Sequence, residues 1–185
     1  RIAIEGESEM VMDYYNAMLA GHQNQAIEQQ AQENGKVQTV SGTGEATIEE
    51  VSLLNERGEQ IEVATVGQVV KLQITARIHS DIPELILGYM IKDRLGQPVF
   101  GTNTYHLNRK TGALKSGTSA VFAFQFSANL GEGTYSIAVA LHEKDTHISR
   151  NYQWRDLALV FHVVNFDKET FVGVAWLPPT MESNK

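Results

Sequence analysis

From Gly44 to Leu177 apolar residues tend to recur at every second position, and this spacing constrains the fold more than any other feature of the chain. A period of two belongs to a strand with one buried and one open face, whereas a helix repeats at about 3.6 residues. Over 120–127, Ala120, Phe122, Phe124 and Phe126 oppose Val121, Ala123, Gln125 and Ser127. Over 134–143, Tyr135, Ile137, Val139 and Leu141 oppose Ser136, Ala138, Ala140 and His142. Over 157–164, Leu157, Leu159, Phe161 and Val163 oppose Ala158, Val160, His162 and Val164. Strands are expected at 46–54, 69–79, 85–92, 99–106, 120–127, 134–143, 157–164 and 171–177. Turn chemistry such as Asn55-Glu56-Arg57-Gly58 and Lys110-Thr111-Gly112 separates them. Short strands with short connections predict an all-β domain, an antiparallel β-sandwich of immunoglobulin-like or jelly-roll-like type. Tyr135, after Gly131-Glu132-Gly133-Thr134, has the setting of a tyrosine that closes a sandwich corner.

The first 43 residues have another texture. Val11, Tyr14, Tyr15, Met18 and Leu19 fall on one helical stripe, and Gly21 would end that helix. A run rich in Gln, Asn and Glu follows, with few large apolar residues, and reads as a polar linker. The division expected is helix and linker over 1–43, sandwich over 44–177 and a tail over 178–185. The chain starts at Arg1, and we expect it to be an excised fragment.

Charge narrows the partners. A net charge of −7 without a basic stripe argues against nucleic acid and against docking on anionic lipid. No apolar run approaches the roughly 20 residues of a membrane span. With no cysteine, disulfides and thiolate metal sites are excluded. His142-Glu143-Lys144-Asp145-Thr146-His147 misses the H-E-x-x-H zinc spacing by one residue and starts on a strand, so no metal is expected there. There is no phosphate-binding loop, no G-x-S-x-G elbow and no dinucleotide fingerprint, so neither a catalytic residue nor a cofactor is expected.

The open faces carry chemistry of another kind. Ser136, Ala138, Ala140 and His142 are small or polar without long charged side chains, which suggests a shallow groove. The run Thr102 to His106 is polar on both faces. Amides, hydroxyls and imidazoles match sugar hydroxyls, which both donate and accept, and an aromatic face matches the apolar face of a pyranose. The expected glycan-binding residues are Gln125, Ser136, His142 and His162, with Asn103, Tyr105 and Trp154 from the neighbouring loops. Two other readings compete: an adhesion or protein-interaction sandwich, and a carbohydrate-active hydrolase.

Gly88-Tyr89-Met90-Ile91-Lys92-Asp93, the turn Leu95-Gly96-Gln97-Pro98 and Val99-Phe100-Gly101-Thr102-Asn103-Thr104 together resemble the signature hairpin of one group. These are the C-terminal carbohydrate-binding domains of the ATPase subunits of ABC transporters that export O-antigen polysaccharide, with the polymannose branch most similar. The likeness runs from about Gly44 to Leu177. It implies recognition of O-polysaccharide, at its modified end, before export, in the cytoplasm at the inner membrane. It also implies an ATPase domain upstream, a membrane subunit as partner, no direct membrane insertion, and a homodimer. The apolar stretch 171–177 on its polar hinge 165–170 is the expected place for strand exchange between copies.

Overall fold

The computed structural model describes residue 11 and residues 26–31, 37–144 and 150–183. Apart from Val11, the helix expected over 10–20 lies outside the described residues. The described chain forms ten strands: β1 (Ala26–Ala31), β2 (Val37–Gly42), β3 (Ala46–Leu54), β4 (Val63–Thr65), β5 (Val69–Ile78), β6 (Ile86–Lys92), β7 (Pro98–Asn103), β8 (Ser119–Ser127), β9 (Gly133–His142) and β10 (Asn151–Val164). They make two facing sheets, the β-sandwich that the alternation predicts. The larger sheet runs β1-β2-β10-β9-β6-β7, with β4 alongside the second half of β10, and the smaller runs β3-β5-β8.

The core lies between the sheets. Leu72 and Ile74 of β5 meet Leu87, Tyr89 and Ile91 of β6, Ile137, Val139 and Leu141 of β9, and Phe161 of β10. Each such fully buried side chain contributes about 1.5–3 kcal/mol of hydrophobic free energy. Tyr89 packs 4.9 Å from Phe124 and 6.2 Å from Phe126, ring centre to ring centre. Because β8 is an edge strand, its phenylalanine row is only half-buried. Tyr135 closes its corner as expected, its hydroxyl donating to the Gly131 carbonyl at 2.9 Å.

Several boundaries differ from the sequence reading. Residues 26–31 and 37–42, read as linker, are strands. Their partners are backbone groups, so pairing needs no large apolar residue. Gly42 permits the docking of β2, because a Cβ there would lie 2.2 Å from the Tyr152 carbonyl oxygen. The strand expected at 157–164 starts at Asn151, and two irregularities in its register obscure the period of two. The strand expected at 99–106 ends at Asn103, whose side-chain oxygen accepts the His106 N–H at 2.7 Å and turns the chain. The stretch 171–177 is not a ladder strand covered on both faces. It is extended chain with one bridge, Ala175 to Leu130, and Val172 and Leu177 are 96% and 80% exposed.

Candidate functional site

The face of the larger sheet turned away from the core carries a row of side chains that crosses the strands. Asn103 on β7 pairs with Gly88 on β6, Gly88 with Ala140 on β9, Ala140 with Trp154 on β10, and Trp154 with Ser41 on β2. Directly paired residues point to the same face, so these five share it. Asn103 and Trp154 are three strand spacings apart, about 14 Å, with only glycine and alanine between them. Gly88 and Ala140 form the flat floor of a trough between a polar wall and an aromatic one. Ser41, Gly88 and Asn103 are buried, and the half-buried Ala140 and Trp154 are its accessible part.

Neighbouring rows extend it. Two residues along β9, Ala138 lies beside the half-buried Met90 but is itself buried, so the accessible floor stops at Ala140. Two residues the other way, His142 flanks Ile86. The His142 Nδ1 lies 2.9 Å from the Lys144 carbonyl oxygen. A carbonyl only accepts, so Nδ1 carries the proton and Nε2 of the neutral ring is left as an acceptor. Beyond Ala138 lies Ser136, whose hydroxyl is buried and has no hydrogen-bond partner among the described residues. On β2 the hydroxyls of Thr39 and Ser41 are likewise buried and without partners among the described residues.

The backbone under Trp154 is held from the other side of the sheet. Gln153 and Arg155 point inward, to the place where β3 slips register between Ile48 and Glu50. The Ile48 N–H donates to Gln153 Oε1 at 2.7 Å, and Arg155 Nη2 donates to the Ile48 carbonyl. Burial pulls the Arg155 guanidinium below its ordinary pKa.

The expected site residues therefore separate. Asn103 and Trp154 are brought into one row, with His142 one row away on the same face. Ser136 shares the face but is buried. His162, exposed and 3.0 Å from Thr134 Oγ1, lies eight residues from His142 along β9, about 27 Å away. Tyr105 sits exposed on the turn just beyond Asn103. Gln125 belongs to the opposite sheet, where it lines a shallow cavity of about 200 Å³ with Asn55, Glu56, Val69, Val70 and Lys71. Sequence reasoning missed Ser41 and Gly88, whose only signal is their cross-strand register. Among the described residues no group of acidic and imidazole side chains could hold a metal ion.

A family model described as the Wzt C-terminal domain matches residues 37–177. No curated protein matches the chain. Among solved structures, the C-terminal domain of Wzt aligns with a TM-score of 0.72 at 20% identity, over 80% of this chain and 89% of that one. A Niemann-Pick type C2 protein from Japanese carpenter ant aligns with a TM-score of 0.44 at 9% identity, over 66% and 97% of the two chains. A β-glucosidase from Listeria innocua in complex with glucose gives 0.39 at 15% identity, over 70% and 16%. The last two scores are too low to carry an argument.

Proposed function

Because the chain belongs to the Wzt C-terminal domain family, the C-terminal domains of O-antigen ABC transporter ATPases, we propose that it binds O-polysaccharide through the trough between Asn103 and Trp154. The observation that carries this reading is the transverse row itself. The small, half-buried Ala140 leaves room beside an indole whose face suits the C–H groups of a pyranose, and the imidazole Nε2 of His142 and the exposed Tyr105 hydroxyl offer hydrogen bonds at the rim. None of these contacts requires a charged ligand. The role is recognition without catalysis: the domain selects the finished polysaccharide by its modified end and licenses export by the transporter. It acts beside the membrane subunit on the cytoplasmic side of the inner membrane, joined to the ATPase domain through the residues that precede β1. Among the described residues no helix is long and apolar enough to cross a membrane.

A second reading concerns self-association and rests on the exposed apolar side chains of the C-terminal segment. Phe166, Val172, Leu177 and Met181 are each at least 80% exposed. That amount of open apolar surface on one segment favours a homodimer in which residues 171–177 pack on, or exchange with, a second copy.

Retention of the purified chain on a panel of bacterial O-polysaccharides tests the main reading. At least one polymer, with polymannose first among them, should retain the native chain and release the Trp154→Ala variant. Equal retention of both proteins on every polymer that binds would move the site off this face.

A further inference from the structure

The residues on either side of Trp154 do more than join the sheets. We propose that Gln153 and Arg155 are positioning residues, which hold Trp154 on the ligand face by gripping a single residue of the opposite sheet, Ile48. The proposal rests on the reading of Trp154 as a glycan platform.

Strand β10 is irregular on both sides of this point. Its register against β9 slips between Asn151 and Gln153 and again between Arg155 and Leu159. Only Gln153, Trp154 and Arg155 pair regularly between the slips, opposite Leu141, Ala140 and Val139. On the other edge β2 pairs with this stretch at Trp154 and Arg155, and just beyond β2 the Thr43 and Gly44 N–H groups donate to the Asn151 and Tyr152 carbonyls at 3.0 and 2.9 Å. A three-residue island between two bulges is weakly fixed in register, and a slip of one residue sends every side chain to the other face. For Trp154 that slip would bury the indole and present a glutamine or an arginine to the trough.

Ile48 opposes the slip. Ile48 sits on the edge strand β3 opposite Ala76, at a ladder position whose N–H and carbonyl point away from β5, and side chains of the other sheet take them. Gln153 takes the N–H and Arg155 the carbonyl, one from each side of Trp154. Any shift of β10 would break both bonds and strand the polar groups of Ile48, a residue that is only 2% exposed. The grip therefore fixes the alternation at the three positions where the ladder alone fixes it least. No sequence motif announces it, because Ile48 lies more than a hundred residues away.

The test uses the 185-residue chain with Trp176→Phe, which leaves Trp154 as the sole indole. Without any glycan, Gln153→Ala and Arg155→Ala should change the emission maximum of Trp154 and its quenching by acrylamide. Gln153→Glu, which keeps an acceptor for the Ile48 N–H, should restore the native signal. On a polymannose O-polysaccharide the two alanine variants should lose about tenfold in affinity, equivalent to about 1.4 kcal/mol. If Arg155→Ala does not fold, Gln153→Ala, which removes a single neutral acceptor, decides the matter. Native Trp154 emission and quenching in folded Gln153→Ala would overturn the proposal. So would failure of Gln153→Glu to restore the signal. An unchanged affinity in Trp154→Ala would instead overturn the platform reading, while the glycan-free spectra still judge the grip.

Discussion

Lys92 and Asp156 form an ion pair across an intervening strand: Nζ of Lys92 on β6 lies 2.9 Å from Oδ1 of Asp156 on β10, with β9 between them. The side chains are 7% and 1% exposed, so both charges are held almost out of water on the same face as the trough. At such a site, removing one partner typically costs about 3–5 kcal/mol, whereas replacing both by apolar groups is often near neutral. Asp156→Asn should therefore shift the denaturant midpoint sharply downward. Lys92→Met combined with Asp156→Leu should recover much of the loss. Additive effects in that double-mutant cycle would show that the two charges are not coupled.

The floor of the trough should tolerate no bulk. Ala140→Leu would raise a branched side chain between Asn103 and Trp154, at a position that is only half-buried. Glycan retention should fall to background while the melting temperature stays within a few degrees. His142→Ala should weaken retention less. Binding in the native chain should change little between low and moderate salt, since neutral hydrogen bonds of about 0.5–1.5 kcal/mol each dominate. An affinity that collapsed with salt would point to an anionic ligand.

Alkaline pH should loosen the core. Burial pushes the Tyr89 and Tyr152 phenols up to about 12, with nearby carboxylates adding to the effect at Tyr152. In the unfolded chain both ionise near pH 10. Between those values the folded chain keeps protons that the unfolded chain has released, so stability is full below pH ~10 and falls as pH rises toward about 12. Melting temperatures across that window should decline in the native chain and decline less in Tyr89→Phe. A flat profile would contradict the assignment.

Docking of β2 should depend on Gly42. Its φ of 149° and the 2.2 Å approach that a Cβ would make to the Tyr152 carbonyl oxygen leave no space for alanine. Gly42→Ala should raise hydrogen exchange across residues 37–42 and cost about 1–3 kcal/mol of stability, as strained backbone does elsewhere. Native protection of those amides would mean that β2 is held by other contacts.

Self-association should depend on the C-terminal segment. Light scattering on the intact chain should give a dimer, and truncation after Asp167 should give a monomer or insoluble protein. A monomeric intact chain would sink that reading.

Much of the architecture was legible from alternation alone, because β8 and β9 each set an apolar row against a face that is small or polar apart from Val121 on β8. The β6–β7 turn was legible too. Asp93 Oδ1 accepts the N–H groups of Leu95 and Gln97, and Gly96 takes the left-handed φ of 75° that the turn requires. The first half of β10 was hidden, because two bulges scramble the period just where Trp154 sits. β1 and β2 were hidden because backbone pairing leaves no hydrophobic trace in a Gln-rich run. The open face of β9 pointed to a groove, but alternation specifies a face and not the register between strands. It therefore joined His142 to His162 and Gln125, which the fold keeps apart, and left out Ser41 and Gly88.

Each residue of the transverse row, Ser41, Gly88, Asn103, Ala140 and Trp154, comes from a different strand, and no two are neighbours in the chain. One codon change can therefore exchange a wall or raise the floor without disturbing a loop length or the propensity of the next position. On the proposed reading of the row as the glycan site, a family built on this plan would move from one polymer to another by single steps, each tried against an intact scaffold.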